Sequence, residues 1–240
     1  MASTDTRGDQ GTVKGIPVSR KTQLLEVAVF LFLIVPSLVL SLFVSDPQST
    51  GFRLTAVMVI ARDLALLSLV LYFVWRNGEA MAQIGWTFRR LPLEVLVGVL
   101  LFIPMLYGIS WVEQFFTGIG LSAPPAHSPT FLHPDSRAEL WLAVTLVITV
   151  AIAEETIFRG YLMRRFIGIG LGETASVVLS SVIFAVGHGY EGSSGVATVA
   201  VMGVIFALVY LWRGSLVAPI VMHFLQDFLA IVALTFFVGH

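Results

Sequence analysis

Seven apolar runs, each near the roughly 20 residues that a helix needs to cross a bilayer, constrain this chain more than any other feature. They fall at about 24–44, 54–75, 93–116, 139–163, 174–188, 196–212 and 215–237, the fifth and sixth being short. The composition agrees, since 57% of residues are hydrophobic, 12% are charged and mean hydropathy is +0.89. A soluble domain of this length does not need so much apolar material for its core. The expected fold class is all-α, a polytopic transmembrane helix bundle of about seven spans.

The segment Met1 to Lys21 is polar and reads as a disordered cytoplasmic tail, ahead of a single transmembrane domain over about 23–240. The first run is too long for a signal-peptide core and ends in Ser45-Asp46-Pro47 without a small-x-small cleavage site, so it is expected to be retained. With the N-terminus in the cytoplasm, Arg7, Lys14, Arg20, Lys21, Arg76, Arg89, Arg90, Arg164, Arg165 and Arg213 fall inside. Arg53 and Arg137 fall outside. Positive charge therefore predicts an N-in, C-out integral membrane protein, expected in the plasma membrane of a prokaryote. The five tryptophans, Trp75, Trp86, Trp111, Trp141 and Trp212, sit near predicted span ends as interfacial aromatics do. Gly78 to Arg90 reads as a short amphipathic stretch on the cytoplasmic face, and Gly118 to Ser136, with four prolines, as an external loop.

Cysteine is absent, which removes disulfides, thiolate nucleophiles and cysteine-ligated zinc. The net charge of -1 and the lack of a basic patch suggest no nucleic-acid partner. What remains for chemistry is carboxylate, imidazole and hydroxyl.

A charged group deep in a span costs at least about 2.5 kcal/mol, so each one needs a reason. The fourth run holds Glu154, Glu155 and Arg159, the fifth ends at His188, and the seventh holds His223 and Asp227. At about 1.5 Å per residue, Glu154 lies about 16 Å above Arg165, His188 about 22 Å above Glu173, His223 about 12 Å above Ser215 and Asp227 about 18 Å above Ser215. All four thus reach the middle third of the membrane, which predicts one intramembrane polar site. Glu155 and Arg159 are i,i+4 with the acid first, the better orientation for an intrahelical ion pair, and are assigned a structural role. Glu154 has no basic residue at i+3 or i+4 and is the candidate general base. Ser176, Ser180, Phe184 and His188 form an i+4 stripe whose small residues admit a neighbouring helix. His223 and Asp227 are again i,i+4, so the carboxylate is placed to orient the imidazole, which is then a candidate oxyanion donor. Arg62 and Asp63 are adjacent, point in different directions, are expected to pair with other spans and are assigned a structural role.

At these residues the chain resembles the CPBP intramembrane proteases, also called the type II CAAX prenyl endopeptidase family and formerly classed with bacteriocin self-immunity proteins. The family pattern EExxxR, FxxxH and HxxxN or HxxxD reads here as Glu154-Glu155-x-x-x-Arg159, Phe184-x-x-x-His188 and His223-x-x-x-Asp227. The flanks Phe158-Arg159-Gly160-Tyr161-Leu162 and Arg213-Gly214-Ser215-Leu216 look similar too, and the match covers about 139–229. The resemblance implies an intramembrane peptidase in which Glu154 and His188 activate water for attack on a peptide carbonyl near a substrate C-terminus. It implies that His223 stabilises the oxyanion. Position 227 is Asp rather than Asn, so it is either protonated or only orients His223. The implied partners are membrane lipids and a peptide or lipidated-protein substrate.

Glu154, His188 and His223 are also a donor set of the kind zinc hydrolases use. The compact H-E-x-x-H signature is absent, and hydrolysis without a metal cofactor is expected, with zinc as the alternative. A competing reading is a non-catalytic membrane scaffold, immunity or regulatory protein in which the polar cluster holds helices together. A proton-coupled transporter is a weaker one, since no inverted repeat is visible.

Overall fold

Helix boundaries follow local chemistry closely. The computed structural model describes residues 18–41, 51–123 and 133–233, with the side chains of 37–41 excepted. The tail before residue 18 and residues 124–132 of the proline-rich external loop lie outside the described residues. So do the end of the first run beyond Ser41 and that of the seventh beyond Ala233. Among the described residues there are seven helices and no strands: α1 (Arg20–Ser41), α2 (Phe52–Arg76), α3 (Leu91–Gly118), α4 (Arg137–Gly168), α5 (Glu173–Val186), α6 (Gly192–Arg213) and α7 (Val217–Ala233).

Ser136 caps α4, its Oγ accepting from the Glu139 amide at 3.2 Å, while Glu139 accepts from the Asp135 amide at 2.7 Å. Gly214 ends α6 at φ 63°, where its amide reaches the Tyr210 carbonyl, a left-handed turn that glycine takes without strain. Pro36 and Pro104 lie inside α1 and α3.

Four of the described helices are long and apolar enough to cross a membrane: α2, α3, α4 and α6 with the turn before it (Gly189–Arg213). The sequence suggested seven. The fifth run forms only the 14 residues of α5, about 21 Å of helix at 1.5 Å per residue, short of a hydrocarbon core of about 30 Å. The seventh winds as an α-helix only to Asp227 and continues as π-helix over Phe228–Ala233.

α2 packs on α4, α3 on α6 and α7, α5 on α6, and α7 on α4. Glycine sets one of these approaches: a Cβ at Gly98 of α3 would stand 2.7 Å from Val221 Cβ and 2.8 Å from the Ala218 carbonyl of α7. The outer faces are apolar, with Phe32, Trp75, Trp111, Trp141 and Trp212 exposed, as lipid contact requires. Trp86 departs from the expected girdle and packs against the core. Met81–Ile84 forms a short 3-10 turn whose Ile84 is buried against α4.

One buried ionic node ties the end of the bundle that carries Arg76 and Arg165. Glu26 of α1 accepts from Arg76, Asn77, Tyr161 and Arg165, and Arg165 also pairs with Glu79.

Candidate functional site

The glutamate pair lies where α4 changes its winding. Up to Glu154 the helix is α, and Glu155–Leu162 is π-helix, a form that is rare and frequent at functional sites. At the transition the Thr156 hydroxyl donates to the Ile152 carbonyl at 2.6 Å, supplying an additional local backbone partner. All eight residues of the π segment are buried.

Arg159 Nη1 donates to Glu155 Oε1 at 2.8 Å, with the two side chains 1% and 0% exposed. Charges buried to this degree need further partners. Arg159 finds the Gly203 carbonyl of α6 at 3.2 Å and lies over the rings of Phe184 and Phe206, 4.4 and 5.4 Å from their centroids. Gly203 permits that approach, since a Cβ there would stand 3.1 Å from Arg159 Nη2. Phe206 lies outside the sequence motifs, and its position on α6 gave no signal beyond apolarity.

Glu155 is more than the arginine's counter-ion. The same Oε1 lies 2.9 Å from His223 Nδ1, so this nitrogen carries a proton and donates to the carboxylate. The imidazole is also held by shape, stacked on Phe206 at 5.5 Å and edge-on to Phe184 at 5.8 Å. Its Nε2 faces two further carboxylates, Asp227 at 3.4 Å and Glu154 at 3.8 Å. His188 stands just past the end of α5, its Nδ1 3.3 Å from the Phe184 carbonyl and its ring 5.1 Å from that of Phe184. Ser180 of the expected stripe donates to the Phe158 carbonyl at 2.8 Å, joining α5 to the π segment.

Glu154, His188, His223 and Asp227 line one cavity of about 480 Å³, which Arg62, Asp63, Tyr190 and Glu191 also line. Adjacency does not keep Arg62 and Asp63 from pairing with each other, while Arg62 also reaches another span, as expected. Arg62 Nε donates to Asp63 Oδ1 at 2.8 Å, and Arg62 Nη2 lies 3.7 Å from Glu154 Oε1. The signal for them was in the sequence, as charges inside a predicted span.

The donor types at Glu154, His188 and His223 suit zinc, but among the described residues no three His, Cys, Asp or Glu side chains are grouped so as to hold one metal ion. The set as arranged does not fit a metal ion.

Apolar helices long enough to cross a membrane, with a cavity of carboxylates and imidazoles among them, fit an integral membrane protein. Residues 136–229 match the family model described as type II CAAX prenyl endopeptidase Rce1-like, so the resemblance carried by the three motifs stands, and the family is one of proteases. The matched segment contains Glu154, Glu155, Arg159, His188, His223 and Asp227, and it excludes α1 to α3. No curated protein and no solved structure matches the chain.

Proposed function

We propose that the protein is an intramembrane endopeptidase in which Glu154, with His188, activates a water molecule. The observation that carries this reading is the convergence of Glu154, His188, His223 and Asp227 on one cavity. Glu154 takes a proton from water, the hydroxide oxygen bonds to the peptide carbonyl carbon, and the carbonyl oxygen becomes an oxyanion. His223, protonated on both ring nitrogens in this step, donates from Nδ1 to Glu155 and has Nε2 on the cavity side to donate to that oxygen. Collapse breaks the C–N bond as the proton passes to the leaving nitrogen. The substrate is a peptide or lipidated protein cut near its C-terminus, reached in the plane of the bilayer. In this reading the seven helices form the membrane domain of a prokaryotic plasma-membrane protein, N-terminus inside and C-terminus outside, and the polar site lies at mid-depth.

The test is mass spectrometry of cleavage products in membranes, comparing wild type with Glu154→Ala. A loss of about 100-fold or more is expected from removing a general base. Undiminished turnover in a folded Glu154→Ala protein refutes the assignment. A second reading, a non-catalytic scaffold or regulator, draws on the enclosed Glu155–Arg159–His223 network, which resembles a helix-fastening node. Under it, no variant at Glu154 changes any cleavage, and Glu154→Gln preserves the biological phenotype.

A further inference from the structure

The two adjacent glutamates each face an arginine, in different ways. Arg159 is hydrogen-bonded to Glu155 at 2.8 Å, with both side chains enclosed. Arg62 Nη2 stands 3.7 Å from Glu154 Oε1, with the side chains 41% and 12% exposed. That separation is too long for a hydrogen bond. It presents positive charge to Glu154 without occupying the lone pairs that a base must offer to water.

Arg62 is itself fixed from below. Neighbouring residues on a helix point apart, yet Arg62 Nε reaches back to Asp63 Oδ1 at 2.8 Å. Asp63 is 2% exposed, and its Oδ2 has no hydrogen-bond partner among the described residues. An acid so deeply buried in an apolar helix needs a reason. Fastening α2 to α4 is not a sufficient one, because the close Arg62–Asp63 hydrogen bond lies within α2 and Arg62 meets α4 only through the looser 3.7 Å approach to Glu154. What the pair does is hold the guanidinium along the helix surface, where it faces Glu154 across the cavity. Glu154 Oε2 has no hydrogen-bond partner among the described residues either, and its ionic neighbours are Arg62 and His223.

We propose that Arg62, anchored by Asp63, is a positioning residue for Glu154, so that the working site extends onto α2, outside the segment shared with the protease family. The proposal rests on the reading of Glu154 as the base. It divides the arginines: Arg159 locks Glu155 in place, whereas Arg62 aims Glu154 and leaves it free to react.

The experiment uses the full chain in liposomes, with a synthetic library of peptides carrying an N-terminal acyl anchor. Arg62→Ala, Arg62→Lys and the double variant Arg62→Ala/Asp63→Ala are compared with wild type. The double variant guards against misfolding caused by an orphaned Asp63. In Arg62→Ala and in the double variant, kcat falls by about 10- to 100-fold, the scale of a misplaced reacting group, with KM within about threefold of wild type. Arg62→Lys regains most of that loss. The infrared carboxyl band of Glu154, identified by its disappearance in Glu154→Gln, moves in Arg62→Ala and returns in Arg62→Lys. A kcat for Arg62→Ala within about twofold of wild type, below any such misplacement, overturns the proposal. So does a Glu154 band that stays in place. If wild type cuts no peptide, the peptidase reading fails and the infrared band alone decides the role of Arg62.

Discussion

Glu155 and His223, 68 positions apart in the sequence, meet at 2.9 Å between Oε1 and Nδ1. The same oxygen receives Arg159 at 2.8 Å, so one carboxylate fixes a cation of its own helix and an imidazole of α7. Glu155→Ala strands both groups inside the bundle. The expected cost is about 3–5 kcal/mol, the scale of breaking a buried pair from one side. Removing both ionic partners together, as Glu155→Leu with Arg159→Leu, restores part of it. Thermal unfolding in lipid nanodiscs measures both, and a Glu155→Ala midpoint equal to wild type rules the network out as a support.

Gly160 sits in the π segment where the Ile84 carbonyl closes on it. A Cβ there would stand 2.6 Å from that oxygen, which belongs to backbone and has little room to move. Gly160→Ala is therefore expected to cost about 1–3 kcal/mol through overpacking. Gly108 of α3 has nothing within 4 Å of its Cβ position, so Gly108→Ala should stay within about 0.5 kcal/mol of wild type. Comparing the unfolding midpoints of the two variants checks the claim.

Much of the site was readable because intramembrane charge is rare, and Glu154, Glu155, Arg159, His223 and Asp227 stood out against apolar neighbours. The Glu155–Arg159 pair followed from i,i+4 spacing, which the π winding did not break. What stayed hidden was pairing between helices. Nothing in local spacing places Glu155 on His223, or Arg62 opposite Glu154. Nor does an apolar run announce that Phe206 will form one wall of the imidazole slot. Span counting failed differently. The run at 174–188 is mostly apolar, but Gly187 follows the last turn of α5 and His188 begins a short turn, so the helix stops early.

Glu26 provides a test of stability separated from chemistry. It is 2% exposed and gathers Arg76, Asn77, Tyr161 and Arg165 away from the glutamate cavity. Glu26→Ala leaves Arg165, itself nearly buried, with Glu79 as its remaining carboxylate. A loss of about 3 kcal/mol is expected, as for a buried pair broken on one side. The rate of cleavage per folded molecule should stay at the wild-type value, since Glu26 lines no part of the cavity. Active-site titration combined with product mass spectrometry separates the two quantities, and a fall in specific rate would tie α1 to the chemistry.

Asp227 offers the sharpest discrimination, because its two sequence-level roles make opposite demands on its charge. If it orients His223, it should engage the nitrogen that points away from the reaction. That nitrogen is Nδ1, and Glu155 already holds it. Asp227 Oδ2 instead lies 3.4 Å from Nε2, on the same side as Glu154 and the cavity. An ionised carboxylate there competes with a substrate oxyanion for the Nε2 proton, whereas an amide or a protonated acid donates alongside it. If Asp227 faces the substrate as a donor, Asp227→Asn keeps kcat within about tenfold of wild type, while Asp227→Ala loses about 100-fold or more. Steady-state cleavage of one peptide by the three proteins decides the matter. If Asp227→Asn were as slow as Asp227→Ala, the negative charge itself would be required, and Asp227 would act by holding His223 rather than by facing the substrate.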